Sequence, residues 1–103
     1  MIPEIVERRN ELEGLCRQLG VRRLEVFGSA ATGAFKHGES DLDFLVEFEE
    51  QATGPGYADS YFTLMESLEQ LFGRPVDLVV DSAIRNPYFR ESVELNKALI
   101  YES

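Results

Sequence analysis

Tryptophan is absent from this chain of 103 residues, and cysteine and histidine occur once each, as Cys16 and His37. A single cysteine excludes an internal disulfide, and Cys16 is expected in the core. Positive charge is scarce: 10 Lys and Arg face 19 Asp and Glu, for a net charge of −9. That balance opposes binding to nucleic acid, whose phosphates need neutralising bases, and so argues against template-directed polymerisation. Repeats, low-complexity stretches, domain linkers, a signal peptide, a membrane-length apolar run and lipidation motifs are all missing, which predicts a soluble cytoplasmic protein. What is present, 44% hydrophobic residues, suffices for one core and one domain over 1–103. A second domain to hold a large substrate does not fit, so an acceptor must come mostly from outside.

The apolar spacing orders the elements. Ile2, Ile5, Val6, Leu12, Leu15 and Leu19 recur at helical intervals, with Pro3 suited to a first turn and Gly20 to a stop, which predicts a helix. Val21 to Phe27 and Leu42 to Phe48 read as strands, the second followed by a polar Gly/Pro segment, Glu49 to Gly56, read as a mobile loop. Asp59 or Ser60 is expected to cap a second helix whose stripe is Tyr61, Leu64, Met65, Leu68, Leu71 and Phe72, with Gly73 ending it. A strand over Val76 to Val80, a helix opened by Asn86-Pro87 and a short edge strand over Ala98 to Tyr101 complete an α/β (α+β) fold. The expected architecture is a mixed sheet flanked by helices, packed on one side.

The chemistry concentrates in Ser40-Asp41-Leu42-Asp43-Phe44-Leu45-Val46. Period-two alternation puts Asp41 and Asp43 on one strand face, Cα atoms roughly 6.5 Å apart, where two carboxylates can share divalent ions that act on phosphates. An acid between Leu42 and Phe44 is costly to bury unless it is paired or binds metal, which outweighs reading Asp41 and Asp43 as plain turn residues. Eleven residues earlier, Gly28-Ser29 closes the run Leu24 to Phe27. Such a turn lets backbone approach a phosphate, with the N–H groups of Ala30 to Gly33 aimed at the anion, though strand end and helix cap are the simpler roles. Asp77, between Val76 and Leu78, is a third candidate acid, explained without chemistry if it merely faces solvent on an edge strand. His37 and Lys36 are expected to be solvated loop residues, and Tyr57, Tyr61 and Tyr88 packing aromatics, any exposed one being available to a partner.

Gly28-Ser29, the spacer, Asp41-Leu42-Asp43 and Asp77 in this order resemble the nucleotidyltransferase superfamily of the polymerase-beta-like fold. The likeness spans about Val21 to Tyr101 and is strongest to the minimal nucleotidyltransferases, antitoxin halves of pairs whose toxin is a HEPN-domain ribonuclease. The chain departs from the common pattern in Thr32, where many relatives carry arginine, and in a spacer about one residue longer. The resemblance implies Asp41, Asp43 and Asp77 as catalytic residues holding a Mg²⁺ pair, Gly28 and Ser29 on the triphosphate of ATP, and transfer of AMP to a tyrosine of the HEPN toxin. It implies the toxin and ATP as partners, with neither nucleic acid nor membrane, and leaves a homo-oligomer open. Two other classes stand beside it: a small-molecule nucleotidyltransferase with a cationic acceptor, and a non-enzymatic antitoxin acting by contact alone.

Overall fold

The computed structural model describes residues 1–32, 41–49 and 57–103. Four strands, β1 (Val21–Phe27), β2 (Leu42–Phe48), β3 (Val76–Val80) and β4 (Ala98–Glu102), form a mixed sheet in the order β3-β2-β1-β4. β1 runs antiparallel to β2 and β4, while β2 and β3 are parallel. A parallel pair needs a crossover, and α4 (Tyr57–Phe72) supplies it. The polar Gly/Pro loop expected over Glu49 to Gly56 lies, apart from Glu49, outside the described residues.

The strands bury alternate positions against the same helices. Leu24 and Val26 of β1, Leu42, Phe44 and Val46 of β2, and Val76 and Leu78 of β3 join Ile5, Leu12, Cys16, Leu64 and Leu68 in one core. These helical residues come from α1 (Pro3–Glu7), α2 (Arg9–Leu19) and α4. The single N-terminal helix expected from the spacing is thus two helices with a break at Arg8, whose backbone leaves the helical region at φ −97° and ψ 9°. The break turns Val6 outward, 53% exposed. α4 also begins earlier than expected, so Asp59 sits in its first turn, where an acid complements the positive end of the helix dipole, rather than at a cap. The Tyr61 hydroxyl donates to the carbonyl of Leu78, fastening α4 to edge strand β3.

The sheet is covered on both faces, not one. Phe27 of β1 and Leu45 of β2 point away from the main core and are buried with Val93 of α5 (Pro87–Asn96), flanked by Val79 and Ile84. An apolar second face has to be covered, and α5 covers it. Asn86 starts α5 as the sequence predicts, its Oδ1 accepting from the backbone N–H of Tyr88 at 2.8 Å and Phe89 at 3.3 Å. A 3-10 turn, Asp81–Ala83, joins β3 to this segment, and Arg90 holds it by donating to the Asp81 carboxylate and, at 2.7 Å, to its carbonyl.

Candidate active site

The second face carries the candidate acids. In the β1/β2 register Phe27 is the Cα partner of Asp43, and in β2/β3 Asp43 is the partner of Asp77. Neighbouring strands lie about 4.8 Å apart, so the two carboxylates leave adjacent strands side by side. The Leu42 N–H, bonded at 3.5 Å to the carbonyl of Pro75, fixes this register just where both strands begin. Asp41 falls one residue before β2 and is exposed; Asp43 is half-buried, and Asp77 is exposed at the sheet edge. Edge exposure was the simple explanation for Asp77, but the register sets it beside Asp43.

Burial pushes the Asp43 carboxyl up to about 6 from an ordinary 3.8, and the negative charges of Asp77 and Asp41 push it the same way. Among the described residues no ion pair neutralises Asp41, Asp43 or Asp77. The contrast lies on the same strand face: Glu47, two turns of the pleat further along β2, is held by Arg23 at 2.9 Å. The residues present fit a hard divalent cation, which takes carboxylate oxygens and relieves like-charge repulsion. Among the described residues no three His, Cys, Asp or Glu side chains are grouped so as to hold a metal ion by themselves.

Gly28 completes the row. It follows β1 with φ +69°, and an added Cβ would lie 2.6 Å from Asp43 Oδ2. Only glycine fits both that conformation and that contact. Ser29 opens the four-residue helix α3 (Ser29–Thr32), whose return to β1 is closed by the Ala31 N–H and the Thr32 hydroxyl, both donating to the Gly28 carbonyl at 3.1 and 3.3 Å. Residues 33–40, with Lys36 and His37, lie outside the described residues.

Two features behind the row escaped the sequence. The Phe89 ring stands edge-on to Phe27 with centroids 5.9 Å apart, bringing the first turn of α5 next to the acids. Glu25, buried to 7% exposure on β1, accepts the Lys97 ammonium at 3.4 Å, and Glu94 shares that ammonium at 3.0 Å. An acid two residues before Phe27 in an otherwise apolar stretch, followed far downstream by a lysine at a helix end, was the available signal. Cys16 is fully buried, and burial pushes its thiol up to about 12, which makes it a core residue without chemistry.

An acidic row at the edge of a mixed sheet, laid over a glycine turn, is the arrangement of a nucleotidyltransferase. Residues 8–100 match the nucleotidyltransferase domain model, and the chain belongs to that family. A candidate protein adenylyltransferase of Methanocaldococcus jannaschii is 37% identical over 100 residues, covering 97% of this chain and 93% of that one. The protein adenylyltransferase MntA of Thermococcus cleftensis is 40% identical over 72 residues, 70% of this chain and 68% of its own. A solved candidate minimal nucleotidyltransferase superposes with a TM-score of 0.73 at 36% identity, covering 90% of this chain and 89% of the other. The fold is shared as well, at 17% identity and a TM-score of 0.63, with a Shewanella oneidensis complex of a tri-AMPylated HEPN toxin and its MNT antitoxin, over 96% of this chain and 73% of that one. No described helix is long and apolar enough to cross a membrane.

Proposed function

We propose that this nucleotidyltransferase is an antitoxin that transfers AMP from ATP to a tyrosine of a cognate HEPN ribonuclease toxin. The observation that carries the reading is the row Gly28, Asp43, Asp77: an acid with a raised pKa, bare of counter-charge, directly over a glycine that leaves room for nothing larger. Support for a protein acceptor comes from the relatives named as protein adenylyltransferases.

Gly28 and Ser29 would lie under the triphosphate, their backbone N–H groups oriented by the α3 turn. Asp41, Asp43 and Asp77 would hold Mg²⁺, which when bound neutralises charge at the α-phosphate and on the leaving pyrophosphate. The tyrosine oxygen forms its bond to the α-phosphorus as the bond from that phosphorus to the β-phosphate bridging oxygen breaks. Asp77, exposed at the start of β3, would take the phenolic proton. An AMP on the toxin adds negative charge and bulk where RNA phosphates must bind.

The modification outlasts the complex, which supplies the test. Toxin treated with this protein, ATP and Mg²⁺ and then separated from it is expected to stay inactive and to gain the mass of AMP. Toxin treated with the Asp41→Ala, Asp43→Ala double variant is expected to recover its ribonuclease activity once freed. Recovery in both cases means inhibition by contact alone.

A further inference from the structure

Two large apolar side chains stand among the polar residues on the outward side of α5. Its inward side is accounted for by Val93 in the second core and Phe89 on Phe27. Seven residues apart, Tyr88 is 82% exposed and Leu95 77% exposed, so both stand on one line along the helix, with exposed Glu91 and Ser92 between them. Single exposed apolar residues are ordinary. This pair is set apart by alignment and by place, since the stripe starts in the turn whose neighbouring ring rests on the Cα partner of Asp43.

We propose that this outward stripe of α5, Tyr88, Glu91 and Leu95, is the surface on which the protein acceptor docks, an inference that rests on the protein-adenylylation reading and gives it a location. The occupant is a protein with an apolar recess bordered by Arg or Lys. Charge selects it over a second copy of this chain. A two-fold contact would oppose Glu91 to its own equivalent or its neighbours between two chains of net charge −9. A ribonuclease must carry bases to hold RNA phosphates and so brings the complementary sign. A large exposed tyrosine is a residue type that carries binding energy at such contacts, and Tyr88 stands beside Phe89, whose ring meets Phe27, the Cα partner of Asp43.

The test compares two double variants with the parent, using the purified cognate HEPN ribonuclease as the titrant in calorimetry. Tyr88→Ala with Leu95→Ala is expected to keep the parent's melting temperature and its affinity for a non-hydrolysable ATP analogue, and to bind the ribonuclease at least about tenfold more weakly. Asp41→Ala with Asp43→Ala is expected to bind the ribonuclease as the parent does and transfer no AMP. Undiminished binding by the α5 variant overturns the proposal, as does a parent that fails to bind the ribonuclease. A parental homodimer that the α5 variant converts to monomer also overturns it, by assigning the stripe to self-association. A parent that binds the ribonuclease through α5 but transfers no AMP supports the docking surface while refuting protein adenylylation.

Discussion

The missing side chain of Gly28 is what lets Asp43 sit where it does: a Cβ there would stand 2.6 Å from Asp43 Oδ2, well inside contact distance, on a residue whose φ is +69°. Gly28→Ala therefore carries two separate penalties. The left-handed backbone costs a residue with a Cβ about 1 kcal/mol, and the methyl must also displace a carboxylate. The expected outcome is a loss of about 1–2 kcal/mol in chemical denaturation, together with loss of ATP-analogue binding by calorimetry. Adding Asp43→Ala should remove the collision and leave the backbone term, so the double variant is expected to be more stable than the sum of the two single effects predicts. Strict additivity would mean that Asp43 swings clear of the glycine at no cost.

Asp43 also makes the fold sensitive to pH in a defined direction. Its carboxyl titrates near 6 in the folded protein against an ordinary 3.8, so the folded state holds the proton more tightly than the unfolded chain does. Below about pH 4 the group is protonated in both states and costs nothing. Stability then falls as pH rises through 4 to 6, and the penalty is complete by pH 7. Taken whole the shift corresponds to roughly 3 kcal/mol, which solvent screening of a half-exposed group reduces to about 1 kcal/mol. Asp43→Asn is expected to melt a few degrees above the parent at pH 7.5 and level with it at pH 4. A variant less stable than the parent at pH 7.5 would show the carboxylate to be stabilising after all.

Magnesium should act on the same charge. Because Mg²⁺ favours sites built partly from phosphate oxygens, the ion alone is expected to raise the parent's melting temperature little, and Mg²⁺ with a non-hydrolysable ATP analogue to raise it by several degrees. Asp43→Asn should lose most of that rise, since the repulsion to be relieved is already gone. Equal rises in parent and variant would remove Asp43 from the metal site.

All four strands were legible as short apolar runs bounded by polar or Gly-containing segments, and in β2 the alternation of Leu42, Phe44, Val46 and Phe48 also showed which way they face. The candidate acids stood out as Asp41 and Asp43 alternating with Leu42 and Phe44, and as Asp77 set between Val76 and Leu78. The register that puts Asp43 beside Asp77 was not, since pairing depends on the crossover and on the Leu42 to Pro75 bond rather than on either strand's own pattern. The cover on the second face was missed for a related reason. Phe27, Leu45 and Val79 each look like one more apolar residue in a buried run, and only their shared direction shows that they need α5. Arg8 carries no breaking signal in its sequence, so the division of α1 from α2 was invisible.

The Glu25 to Lys97 pair is expected to hold α5 behind the acidic row, and its removal should be felt unequally from the two sides. Burial alone would lower the Lys97 ammonium's pKa; the hydrogen bond to Glu94 and the charges of Glu25 and Glu94 outweigh it and raise the value above 10.5. The pair's contribution is therefore present at all ordinary pH and is lost only as pH climbs beyond that value. Lys97→Met strands the buried Glu25 carboxylate without its cation, and such a break typically costs several kcal/mol in a dry interior. With the Lys97 side chain 21% exposed and Glu25 9% exposed, a loss of about 2 kcal/mol is expected. Glu25→Gln leaves an amide in the same space and an ammonium still held by Glu94, so a loss nearer 1 kcal/mol is expected. The double variant Glu25→Gln, Lys97→Met should be more stable than Lys97→Met alone, because no charge is then buried. Urea denaturation of the four proteins closes this cycle, and a coupling energy near zero would reduce the pair to a surface contact that α5 does not need.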